Sequence, residues 1–287
     1  MIERIVWQCG EDSICFDTHP WSLWLFDPAD FSHTVSGRFT NIQPAALDGQ
    51  VTTSAYLAGA YTRLDVLLNA PAVANRKVSV DTVLQRERSK LYRLFCPSRP
   101  GRLTVEQNGC QYTIDGYPAA IPVAGQRTSG TALFTLEINH DSPAFAVLPE
   151  HRRDIFSKRS SAYLVNYFPM RLGTISSSGY IQNDSDMPSP VSIQLSGHLV
   201  NPMITNLETG EYLAFDISMQ SGDVLVVHTR NGYKSVTYNG VDASGRIAAG
   251  STYLFLPAGP SQLSFSAERY GLDAKVIVSY HNMALGV

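Results

Sequence analysis

The sequence predicts a mainly β protein: an N-terminal β-rich domain carrying one α-helix, followed by a C-terminal β-sandwich. Three observations predict it. Short runs rich in Val, Ile, Thr, Tyr and Phe recur along the chain, split by Gly, Pro, Asn and Asp. Strands and helices do not alternate in the rhythm of a parallel α/β fold. Only one segment carries the period of an amphipathic helix.

That segment is VDTVLQRERSKLYRLF, Val80 to Phe95. Val80, Val83, Leu84, Leu91, Leu94 and Phe95 fall on one helical face, and Arg86, Arg88, Lys90 and Arg93 lie mainly elsewhere. Asp81 or Ser79 can cap its start. Pro97 stops it, because the residue before a proline avoids the α region.

A hairpin follows. In LTVEQ-NG-CQYTI the Asn108-Gly109 pair suits a type I′ turn, whose two central residues both need φ > 0. A two-residue loop fixes the register. Leu103 faces Ile114, Val105 faces Tyr112 and Gln107 faces Cys110 on a mostly apolar face. Thr104–Thr113 and Glu106–Gln111 form the polar one. Register and pattern agree, so the hairpin packs on something, with the preceding helix the nearest candidate.

The second half follows the same logic. VLVVHTR-NG-YKSVTY turns at Asn231-Gly232, which sets Leu225 against Tyr238 and Val227 against Val236 on an apolar face. His228–Ser235 and Thr229–Lys234 are the more polar pairs. STYLFLPAG, SQLSFSAE and AKVIVSYH also alternate. Many short strands at this spacing suggest a sandwich or jelly roll. The chain of 287 residues is long enough for two cores. Prolines 143 and 149, the basic run HRRDIFSKRSS and the polar stretch Ser176 to Pro190 put the boundary near residues 143–175. The domains are expected at 1–150 and 151–287.

Composition narrows function. Hydrophobic residues make 44% and charged residues 16%, against about 25% charged in ordinary soluble domains. So thin a charged coat fits a surface covered by partners. A net charge of −3 argues against nucleic-acid binding by bulk positive charge. Residues 76–102 do hold eight basic and two acidic side chains (Arg76, Lys77, Arg86, Arg88, Lys90, Arg93, Arg99 and Arg102 against Asp81 and Glu87). No aromatic platforms are interleaved with them, so they read as a solvated or subunit-facing side and not as a strand-binding stripe. The N-terminus lacks the apolar core and cleavage site of a signal peptide. No apolar stretch approaches the roughly 18 residues of a membrane helix. The expectation is a chain made in the cytoplasm that stays soluble or joins an assembly, without membrane insertion.

Catalytic signatures are missing: no GxxxxGK[ST], HExxH, CxxC or GxSxG occurs. The seven histidines are dispersed. Cys9, Cys15 and His19 lack the paired spacing of a zinc site and read as parts of an irregular N-terminal segment. No catalytic, cofactor-binding or metal-ligating residue is assigned, and the chain is not expected to be an enzyme.

Two blocks together carry a family resemblance. The first holds TRLDVLLNAP, then the helix and hairpin in LQRERSKLYRLFCPSRPGRLTVEQNGCQYTIDGYP, then LFTLEINHDSPAF. The second is LSGHLVNPMITNLETGEYLAFDISMQSGDVLVVHTRNGYKSVTYNG, with its Asn201-Pro202, Thr209-Gly210 and Gly222-Asp223 marks. LFLPAGPSQLSFSAE and VIVSYH close it. In this order they resemble the distal tail proteins of bacteriophages with long, non-contractile tails, from about residue 60 onward. The resemblance implies a virion protein of the tail tip or baseplate. Its N-terminal domain would form a hexameric hub ring and its C-terminal domain a galectin-like sandwich. The ring would join the tail tube protein to the tail-tip or tail-associated protein, and could anchor receptor-binding proteins. Phage DNA would only pass through its lumen. Assembly would take place in the host cytoplasm. Carbohydrate binding is the alternative, a tail module for host-surface attachment. His198 and Asn201 in HLVNPM are similar to a galectin His-Asn-Pro cluster, but Met203 stands where that cluster has Arg, and the C-terminal half has no Trp.

Overall fold

A computed structural model describes residues 1–42, 51–74, 78–128, 130–157, 177–230 and 233–287. They fall into two compact units: Met1–Leu148 with Ala284–Val287, and Pro149–Met283. The division falls inside the strand Phe145–Ser157. Both units are built of strands, and Val80–Leu94 is the one α-helix among the described residues.

In the first unit the strands close into a ring. Cys110–Pro118 pairs with Gly101–Gln107, which pairs with Ile2–Cys9, which pairs with Asp12–Asp17. Asp12–Asp17 meets Trp24–Phe26 in a single parallel step, and that strand meets Val51–Asn69. Val51–Asn69 pairs with Thr131–His140, whose Ile138 and Asn139 return to Pro118 and Tyr117. Each strand sends alternate side chains inward. Trp7, Phe16, Trp24, Val66, Val105, Ile114, Phe134 and Phe145 share one core, and the helix adds Leu91, Leu94 and Phe95 to it. Closure satisfies the edge hydrogen bonds that an open sheet would leave free.

The expected hairpin has the predicted register, with Leu103 opposite Ile114 and Val105 opposite Tyr112. Asn108 (φ 51°) and Gly109 (φ 76°) take the left-handed conformations of its turn. The helix starts as expected: the Ser79 hydroxyl accepts from the Thr82 amide. It ends one residue earlier than the pattern suggested, with Phe95 as its C-terminal cap. There the Trp7 indole donates to the Leu94 carbonyl at 3.1 Å, and its ring stacks on Phe95 at 5.3 Å.

The second unit is a sandwich. One sheet runs in the order Val241–Asp242, Tyr233–Tyr238, Val224–Arg230, Ser189–Ser196, Lys275–Ala284. The facing sheet runs Ser177–Asn183, Gly259–Ser266, Met203–Asn206, Tyr212–Ala214. Ile193, Leu195, Leu225, Val227 and Val278 from one meet Ile181, Ile204, Leu213, Leu263 and Phe265 from the other in a continuous core. The pairs Leu225–Tyr238, Val227–Val236, His228–Ser235 and Thr229–Lys234 stand as the pattern set them; the Asn231-Gly232 turn lies outside the described residues. Thr229 is fully buried on the apolar side. Its hydroxyl accepts from the Val191 amide and donates to the Val191 carbonyl, so the polar group costs little there.

Candidate functional site

With no catalytic, cofactor or metal residue expected from the sequence, the surfaces and turns are the candidates. Cys9, Cys15 and His19 stand apart or are engaged locally. Cys9 lies opposite Asp12 and Cys15 opposite Val6, with Cys15 Sγ accepting from Arg4 Nε at 2.8 Å. His19 follows in a bend, its amide bonded to Asp17. Among the described residues no group of three or more His, Cys, Asp or Glu could hold a metal. No helix among them is long and apolar enough to cross a membrane.

Much of the basic segment is tied to its own unit. Arg86 pairs with Glu87 at 3.0 Å and Arg93 with Asp12 at 3.2 Å. Arg102 grips Asp115 with two nitrogens. Arg88 bonds the Tyr92 hydroxyl and covers its ring. Arg76 and Lys77 lie outside the described residues. Glu87, counted among the charges of the pattern, is in fact buried. Its carboxylate accepts from the Trp24 indole, 63 residues away, a contact that helical spacing alone does not reveal.

The most distinctive surface of the first unit is an arm. Among the described residues Ser32–Ile42 pairs only with Val51–Asn69, outside the closed ring. Thr131–His140 supports Val51–Asn69 only from Ala60 onward. Residues 36–41 and 52–57 are exposed on both faces. They include Phe39 at 65%, Tyr56 at 55% and Leu57 at 44% exposure. A lone two-stranded ribbon is marginal in water, and its open edges are templates for pairing with another chain. Held by its ladder hydrogen bonds and carrying exposed aromatic side chains along its strands, the arm is suited to docking.

In the second unit the three dipeptide marks are turns with backbone demands. Asn201 (φ 46°), Gly210 (φ 72°) and Gly222 (φ 91°) all take positive φ, a region that Asn and Gly tolerate best. Asp223 then ties its loop. Its carboxylate accepts from the Gln220 amide, the Tyr238 hydroxyl and the Asn239 side chain. These bonds, the one from Tyr238 foremost, hold its pKa below the ordinary value.

An open cleft of about 860 Å³ lies beside Asn201, lined also by Asp216, Ser218, Tyr238, Asp242 and Arg246. His198 and Met203 are not among its walls. His198 instead accompanies Asp273, whose carboxylate accepts from its amide.

Residues 184–282 match the family described as siphovirus-type tail component, C-terminal domain. The SPP1 Dit protein, described as a paradigm of the hub adsorption apparatus in phages infecting Gram-positive bacteria, superposes with a TM-score of 0.65. It is 13% identical, with 97% of this chain and 98% of that one covered. A chain of the phage P2 baseplate in its activated conformation with Ca is 10% identical over 100% of both chains, with a TM-score of 0.48. No curated protein matches the chain. The likeness to siphovirus distal tail proteins thus holds in the sequence of residues 184–282 and in the mainly β fold of the whole chain.

Proposed function

We propose that this chain is a structural subunit of the tail tip or baseplate of a long-tailed phage, a distal-tail-type hub component. The observation that carries the reading is the tail-component match over residues 184–282. The whole-chain fold likeness to a Dit protein supports it. In this reading the first unit assembles as a ring of six copies. The exposed arm engages the neighbouring copy, which would cover Phe39, Tyr56 and Leu57 and pair the free strand edge. The ring joins the tail tube protein to the tail-tip protein and offers places for receptor-binding proteins, while phage DNA passes through its lumen. The role is structural and not enzymatic, and the protein resides in the virion after assembly in the host cytoplasm.

Light scattering on purified protein, followed by negative-stain imaging of any large species, tests this. About six copies per particle and a ring with a central hole are expected. A strict monomer at all concentrations, also with tube and tip proteins present, would overturn the hub reading.

The cleft at Asn201 favours one second reading. The second unit would then be a galectin-like sandwich that binds carbohydrate at the host surface. Asp216, Ser218, Asp242 and Arg246 offer hydroxyl-directed hydrogen bonds, and Tyr238 a ring. Binding on a glycan array that disappears with Arg246→Ala is the expected result for that reading, and a blank array rejects it.

A further inference from the structure

Three side chains far apart in the sequence meet inside the first unit. His33 comes from Ser32–Ile42, Thr62 from Val51–Asn69 and His140 from the end of Thr131–His140. Their polar atoms form one unbranched chain. His140 Nδ1 lies 3.0 Å from the Asp115 carbonyl oxygen. His140 Nε2 lies 2.9 Å from Thr62 Oγ1, which lies 2.9 Å from His33 Nδ1. His33 Nε2 lies 3.4 Å from the Pro143 carbonyl oxygen. Thr62 and His140 are 1% and 3% exposed, so water does not complete the chain for them. Close backbone approach holds the site together. A Cβ on Gly116 would fall 2.5 Å from His140 Nδ1, and one on Gly59 would collide with the His140 carbonyl.

Counting hydrogens exposes a deficit. Both ends of the chain are carbonyl oxygens, which only accept. Each of the four contacts therefore needs a hydrogen from the three side chains. A neutral imidazole brings one and a hydroxyl one, so three hydrogens face four contacts. The longest contact, His33 to Pro143, is the natural one to be left unfilled. One added proton fills all four.

We propose that His33, Thr62 and His140 form a one-proton latch at the root of the exposed arm. The two histidines take up a single proton as a unit, and His33 Nε2 then donates to Pro143. That bond ties residues 141–144 to the strand that carries the arm. A second proton is disfavoured, because it would set two imidazolium rings 5.9 Å apart around one buried hydroxyl.

The other groups facing the pair are few. The Asp115 carboxylate is engaged by Arg102 at 2.7 Å, and Asp141 sits exposed beside His140. Arg63 and Asp65 pair with each other on the opposite side of their strand. The Phe145 ring packs on His33 at 4.5 Å. Burial pushes both histidines down, His140 to about 4; the Pro143 carbonyl opposes this for His33, and the Asp115 carbonyl with the Asp115 and Asp141 charges for His140. Uptake therefore belongs to acidic conditions.

Ring-nitrogen NMR on the labelled full chain, titrated from about pH 8 to about pH 4, tests the latch. The His33 and His140 signals are expected to move together, with one shared midpoint and one proton in total. Thr62→Val should uncouple them and weaken proton affinity about tenfold, one pKa unit. Thr62→Ser, which keeps the hydroxyl, should restore the shared midpoint. If Thr62→Val fails to fold, His33→Gln serves: His140 should then titrate lower than in the parent chain. Independent midpoints that Thr62→Val leaves unchanged would overturn the proposal. So would two rings that stay neutral until the chain unfolds.

Discussion

Asp223 shows how much one surface carboxylate can organise. Three donors converge on it, from Tyr238, Gln220 and Asn239, and they hold its pKa below the ordinary carboxylate value. A depressed carboxylate stabilises the fold above its unfolded pKa and loses that contribution as pH falls through the folded value. Asp223→Ala should therefore lower the melting temperature at neutral pH. The gap to the parent chain should close in strong acid, as differential scanning fluorimetry across pH would show. Trp7 offers a test inside the core. Trp7→Phe keeps most of the apolar volume but leaves the buried Leu94 carbonyl without its indole donor. A loss of about 1–3 kcal/mol is expected in denaturant titrations. The roles of Asn201, Gly210 and Gly222 were readable from residue type, because few residues suit positive φ. Those of Glu87, His33, Thr62 and His140 were not. Each depends on partners 25 to 110 residues away, and pattern within one segment carries no such information.

Elements were legible where local period and a tight turn agreed. The helix and the hairpin at Asn108-Gly109 are such cases, since a two-residue loop leaves one register and alternation confirms it. Val51–Asn69 was not legible as one 19-residue strand. Its outer half is exposed on both faces, so the alternation that marks a strand is missing there. The helix start gives a direct test: Ser79→Ala removes the hydroxyl that caps Thr82, and should cost about 1 kcal/mol by thermal or chemical unfolding. The arm gives another. Phe39→Glu combined with Tyr56→Glu changes residues exposed on both faces. The melting temperature should stay within a degree or two, because surface changes usually cost under about 0.5 kcal/mol. If the arm joins the copies of the proposed ring, light scattering should show that ring lost. A ring that survives both charges would remove the arm from the interface.

At the scale of the molecule, the mainly β character was readable from strand-rich runs and from a single helical period. Closure of the first unit was not. It depends on Tyr117 and Pro118 meeting Asn139 and Ile138, a contact between strands that no turn connects. Nor does sequence order suggest that residues 284–287 belong with the first unit, where Val287 packs on the core. Val287→Asp should accordingly destabilise the first unit and spare the second. Hydrogen exchange resolved along the chain would register faster exchange in residues 1–148 only. The arrangement also puts a clock on synthesis. A nascent chain emerges at about 5–20 residues per second. The first unit has most of its strands early, then waits while all of Pro149–Met283 is made before Val287 arrives. For roughly seven to twenty-seven seconds at that pace it must hold together without its last piece, and it reaches its final form only after the second unit has been made.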